Sequence, residues 1–144
     1  MWKWDGTAWS LCEDLGQERP PQSLAHSLWS SPSHLYVTAG PNAQLWRFDG
    51  RSWELAGGLS KLNPPQAEMD ALEYYDSLLF AGTNPNCQVR SYSEPTGQWT
   101  LEKDLGAEHD QIYVGGMVVH DGALYVGTMG GGRHGGQVWE LSRS

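Results

Sequence analysis

The sequence predicts an all-β fold assembled from repeated four-stranded antiparallel units, and three features predict it. The first is Gln44 to Leu55, where Leu45, Arg47 and Asp49 alternate with Trp46, Phe48 and Gly50, the two-residue period of a strand. The second is Asp49-Gly50, a hairpin signal, because glycine tolerates the positive φ such turns demand. The third is that the same phrase returns along the chain, the mark of a repeat architecture.

The repeats align in columns at a shift of 44 to 49 residues. Trp9, Trp53 and Trp99 each open a strand, and Leu15, Leu59 and Leu105 close those strands. Leu35-Tyr36-Val37 matches Leu79-Phe80-Ala81 and Leu124-Tyr125-Val126, while Gln44-Leu45-Trp46, Gln88-Val89-Arg90 and Gln137-Val138-Trp139 form another column. Even a loop repeats, Arg19-Pro20-Pro21-Gln22 as Asn63-Pro64-Pro65-Gln66. With strands named A to D, strand A is expected over 24–30, 69–75 and 113–120, and strand B over 35–39, 79–83 and 124–128. Strand C falls over 44–48, 87–92 and 137–141, and strand D over 53–56 and 99–102, with an extra copy over 9–13. Four short strands per period of about 45 residues is the blade of a β-propeller.

The pattern resembles β-propeller repeats reading "LYVGT…G…VWRYDG…W", found in bacterial and phage-associated propellers, and the resemblance covers nearly the whole chain. It implies the fold and little about activity, since propellers host lectins, scaffolds and enzymes alike. Trp-Asp occurs once, at Trp4-Asp5, with no Gly-His partner of the WD-repeat kind, and the kelch double glycine before a spaced Tyr and Trp and the sialidase Asp-box are missing.

The single domain divides into 1–16 (strands C and D of a split blade), two whole blades, 17–60 and 61–106, and 107–144 (strands A to C of the split blade). Three blades' worth of strands cannot close a ring, since propellers use four to eight. Two copies related by a two-fold axis can, each N-terminal strand D completing the other chain's last blade. The expected partner is therefore a second copy, in a six-bladed homodimer. A fragment awaiting a different partner is the competing explanation. Strand C occurs at both ends, at Met1 to Gly6 and from Gln137 to Arg143, and the sequence alone does not place the surplus copy.

Composition narrows the partners. A net charge of -8 with nine scattered basic residues argues against a phosphate backbone. No run of eighteen apolar residues is present, so no membrane span is expected. The start, Met1-Trp2-Lys3-Trp4, has no apolar signal-peptide core, which points to the cytoplasm. Two cysteines, Cys12 and Cys87, stand at unmatched places in the repeat and read as free thiols of a reducing compartment, too few for a zinc site.

The candidate ligand face is the rim formed by the D-to-A and B-to-C loops. Gln22, Gln66 and Gln111 recur there 44 and 45 residues apart, and Gln44, Gln88 and Gln137 precede strand C. An amide pairs well with sugar hydroxyls, and equally well with loose backbone groups where strands begin. Asn42 and Asn86 lie in the B-to-C loops. Arg133 and His134 lie in the one enlarged loop, Gly130 to Gly136, whose glycines would let N–H groups approach an anion. Trp29 is unrepeated, Glu73 holding its matching site, and is the better candidate for stacking a sugar ring. His26 aligns with Asp70 and Gly115 near the channel end of strand A, where a cation or water would sit.

No catalytic residue, metal site or cofactor motif is assigned: His-x-x-x-His and Gly-x-Ser-x-Gly are both missing. The expectation is a non-enzymatic binding module with a multivalent, lectin-like taste for carbohydrate. The alternatives are a protein-interaction scaffold, a recently amplified or engineered propeller without a selected ligand, and an enzyme at the channel mouth using His26, Asp70 and Arg133.

Overall fold

Alternating sequence becomes thirteen short strands in the computed structural model, which describes residues 1–18 and 21–142. Arg19 and Pro20 of the repeated loop, and Arg143 at the end of the last strand C phrase, lie outside the described residues. A hairpin of β1 (Trp2–Trp4) and β2 (Trp9–Leu11) comes first. Two four-stranded sheets follow: β3 (Leu24–Ser30), β4 (Leu35–Gly40), β5 (Gln44–Phe48) and β6 (Trp53–Gly58), then β7 (Glu68–Tyr75), β8 (Leu78–Asn84), β9 (Gln88–Ser93) and β10 (Gln98–Asp104). A three-stranded sheet of β11 (Gln111–His120), β12 (Ala123–Gly130) and β13 (Val138–Leu141) comes last. Every sheet is antiparallel with strands in chain order, and none closes into a barrel.

The turns form for the reason their sequence gives. Asp49 accepts from the backbone N–H groups of Arg51 and Ser52 at 2.7 and 2.8 Å, and Gly50 takes φ 94°. Asp5 repeats the device with Thr7 and Ala8 at 2.8 and 2.9 Å, and Gly6 takes φ 102°. Those paired N–H donors hold both carboxyls below their ordinary range.

The strands fall within two residues of where the alternation predicts them, with one addition. A short helix, α1 (Leu105–His109), follows β10 where only a strand end and a loop were expected. Asp104 caps it, accepting from the Ala107 N–H at 2.9 Å, and Asp110 ends it at φ 55°. The matching Asp14 caps a single 3-10 turn, Leu15–Gln17, in the first repeat.

Each larger sheet packs on the next. Tyr36 and Leu45 of the first meet Met69, Leu72 and Leu79 of the second in one core. Tyr75, Phe80 and Val89 of the second meet Val114, Leu124 and Val126 of the third in another. The strands that lie together are the first of each sheet: β3 against β7, and β7 against β11. Approach is closest at Gly82, where a Cβ would lie 2.3 Å from a methyl of Val114. Only glycine fits there.

All three first strands carry a bulge at the same repeat position. One extra residue enters between Ala25 and Leu28, between Met69 and Ala71, and between Val114 and Gly116. A bulge re-aims the side chain it carries, and these are the positions of His26, Asp70 and Gly115.

Candidate functional site

The three rim glutamines are buried, Gln22 at 3%, Gln66 at 2% and Gln111 at 4% exposure. Gln66 Nε2 donates to the Pro64 carbonyl at 3.1 Å, and Gln111 Nε2 donates to the His109 carbonyl at 3.1 Å. Gln111 Oε1 also accepts from Thr128 Oγ1 at 2.5 Å. The backbone N–H groups of Gln22 and Gln66 donate to the matching carbonyls of Leu15 and Leu59, at 2.9 and 3.3 Å. Of the two roles open to these amides, the geometry favours tying loop backbone over facing solvent.

Two of the strand C glutamines, Gln44 and Gln88, also turn inward. Gln44 Oε1 accepts from Trp46 Nε1, and Gln88 Oε1 accepts from Arg90 Nε, both at 2.9 Å. Gln88 Nε2 donates to Asp104 Oδ2 at 2.7 Å. Trp29 is half-buried and stacked on Tyr74, ring centroids 5.0 Å apart and planes 18° apart. It packs against the core between the first two sheets, so one face is already spent.

What the rim leaves open is a set of clefts. One, of about 500 Å³, lies between the loops of the second and third sheets and is lined by Pro64, Asn86, Asp104, Gly106, Gln111 and Ile112. Asn86 is held there by donating to the Pro65 carbonyl at 3.2 Å. A smaller cleft of about 140 Å³, lined by Asp14, Gly16, Gln22 and Ser23, uses the four positions that match Asp104, Gly106, Gln111 and Ile112. A third, lined by His109, Asp110, Arg133 and His134, collects the enlarged loop. That loop is anchored by Asp110, which accepts from the N–H of Arg133 at 3.0 Å and, through its carbonyl, from that of Gly131 at 2.7 Å. Asn42 lies half-buried in the corresponding loop of the first sheet.

His26 and Asp70 do come together, joined by a residue the sequence did not single out. His26 Nδ1 lies 3.6 Å from Asp70 Oδ1, and His26 Nε2 lies 3.8 Å from Glu68 Oε2. Glu68 also accepts from Asn84 Nδ2 at 2.9 Å. The ring has room because its neighbour on β4 is Gly40, whose added Cβ would lie 3.1 Å from Glu68 Cγ and 3.4 Å from His26 Nε2. Burial pushes the Asp70 carboxyl above its ordinary range, the Glu68 charge adding to this and His26 opposing it. One imidazole nitrogen and two carboxylate oxygens form a donor set that a divalent cation accepts. Only repeat alignment pointed here, and Glu68 escaped because Leu24 and Tyr113 occupy its column.

Cys87 is buried and Cys12 exposed, both as free thiols. Burial, with the Asp104 charge adding, pushes the Cys87 thiol up to about 12, which leaves it unreactive at neutral pH. Among the described residues, no helix is long and apolar enough to cross a membrane. No protein-family model matches the chain, and no curated protein matches it.

Proposed function

We propose that the chain is one half of a β-propeller and serves as a non-enzymatic binding module. On this reading the three larger sheets are blades, β2 supplies the outer strand of a split blade, and a second copy completes a six-bladed ring. The ligand face is the rim of clefts, and the ligand class is carbohydrate. The observation that supports this reading is repetition: aligned residues line a cleft in two different repeats, Asp14, Gly16 and Gln22 in one and Asp104, Gly106 and Gln111 in the other. A catalytic site breaks symmetry at one place, whereas weak equal sites gain strength when several engage one branched ligand.

Asn86, Asn42, Arg133 and His134 are the polar side chains assigned to ligand contact. The buried glutamines shape the clefts from below. A glycan array probed with the intact chain tests this. Retention of a glycan, weakened at least tenfold in Asn86→Ala with the fold unchanged by circular dichroism, supports the module. An empty array together with capture of a basic protein supports the scaffold reading instead, which draws on the net charge of -8.

A further inference from the structure

We propose that β1 is a placeholder, and that two chains join by exchanging it: β13 of the second copy takes the place of β1 beside β2. This rests on the half-ring reading above and adds to it a specific register and a competition.

The need for a neighbour is visible at β13. In the two complete sheets the third strand is covered, β5 by β6 and β9 by β10. Among the described residues β13 pairs with β12 alone. Val138 is 78% exposed, while the matching Val89 is 4% exposed. Val118 on the first strand of the same sheet is 55% exposed. An apolar edge with unpaired backbone groups is a template for another strand.

Polar atoms tell the same story. The glutamine and its neighbour two residues on are bonded to each other in both complete sheets. At the third, Gln137 Oε1 and Trp139 Nε1 are both buried, and neither has a hydrogen-bond partner. In the second sheet the fourth strand ends on Asp104, which accepts from Gln88 Nε2. Among the described residues the third sheet has no fourth strand to do this.

The matching strand exists at the other end of the chain. Trp9 aligns with Trp99 and Asp14 with Asp104. Transferring the observed pairs Thr100↔Ser91, Leu101↔Arg90 and Asp104↔Gln88 sets Ser10 opposite the partner's Glu140, Leu11 opposite the partner's Trp139 and Asp14 opposite the partner's Gln137. Asp14 then meets the amide of the partner's Gln137 as Asp104 meets that of Gln88.

That position is already filled, by β1. The observed register is Trp2↔Leu11, Lys3↔Ser10 and Trp4↔Trp9. Trp2 aligns with Trp46 and Trp139, so Leu11 faces the same repeat position now that it would face after exchange. β1 is a substitute in the right register and a poor one. It is three residues long and exposed throughout, Trp2 at 63% and Trp4 at 50%. Its neighbour Met1 packs on Val37, Ala39 and Trp46 of the first sheet's core, beside Leu15. The incoming strand brings a whole sheet with it, and the two-fold axis makes the trade twice.

The test is a cross-link in the intact 144-residue chain carrying Cys12→Ser. Leu11→Cys with Trp139→Cys should give a covalent dimer on mild oxidation, since directly opposed strand residues satisfy disulfide geometry. Trp2→Cys with Leu11→Cys should close within one chain and leave it monomeric. Removing residues 1–6 should tighten dimerisation at least tenfold by deleting the competitor. A mass near 32 kDa, twice 16.0 kDa, with no Leu11–Trp139 cross-link would overturn the exchange while leaving a two-copy ring standing. A weaker dimer after deletion would overturn it too. A 16.0 kDa species at every concentration would remove the half-ring along with it.

Discussion

The second and third sheets share the same repeat columns in sequence and are unlike in burial. Strand β8 is buried over five consecutive residues, Leu79 to Thr83, whereas half of its counterpart β12 is only partly buried and Met129 is exposed. Phe80 is fully covered; Tyr125, at the same repeat position, is half-exposed and its hydroxyl donates to Glu140 at 3.2 Å. The difference is one of neighbours. The second sheet has a sheet on each side and four strands; the third has one covered face, three strands and a bare edge. The same local rules therefore yield a covered core in one place and an exposed surface in the other.

Truncation separates the two sheets most sharply. Phe80→Ala should cost about 3–5 kcal/mol, the range for emptying a buried aromatic site. Tyr125→Ala should cost far less in dilute protein, and its cost should grow with chain concentration if a second copy covers that face. Urea unfolding at two protein concentrations measures both. Equal costs at both concentrations would mean the third sheet is as finished as the second.

Gly82→Ala comes next. Its methyl would press on Val114 between the second and third sheets, and overpacking of this kind costs about 1–3 kcal/mol. Gly116→Ala, whose added Cβ meets nothing within 4 Å, should leave the midpoint nearly unchanged. Asp104→Ala should then cost about 1–2 kcal/mol through the lost cap of α1 and the freed Gln88 amide. Asp14→Ala should cost less in the monomer, where only a 3-10 turn depends on it.

The smallest effect is expected at Asp70. Its folded carboxyl is raised above the unfolded value by burial, so its contribution to stability is present at low pH and is lost as pH rises through the folded value. Asp70→Asn should therefore raise the melting temperature slightly at pH 7. That gain should vanish as pH falls below the ordinary carboxylate range. A loss at pH 7 would show that His26 holds the ionised carboxylate more firmly than burial penalises it.

Much of the fold was legible because strand period and turn chemistry are local. Gln44–Phe48 alternates, Asp49-Gly50 turns, and β5 has those bounds. Helix α1 was not legible, since Leu105-Gly106 looked like the end of a strand and the capping role of Asp104 emerges only once β10 reaches it. The candidate site was less readable still. Alignment put His26 and Asp70 in one column, and the bulges explain why that column is special. The distance between them is set by β3 packing on β7, which no local pattern encodes, and Glu68 enters only through that packing. The glutamines could be found by repetition, but their inward direction could not, because strand starts supply loose carbonyls and solvent supplies sugars to the same amide.

The central claim, a half-ring completed by a second copy, is tested most directly by light scattering on a size-exclusion column. The account predicts a mass near 32 kDa, twice the 16.0 kDa chain, shifting toward the single chain on dilution. A 16.0 kDa particle across the whole accessible concentration range would contradict it.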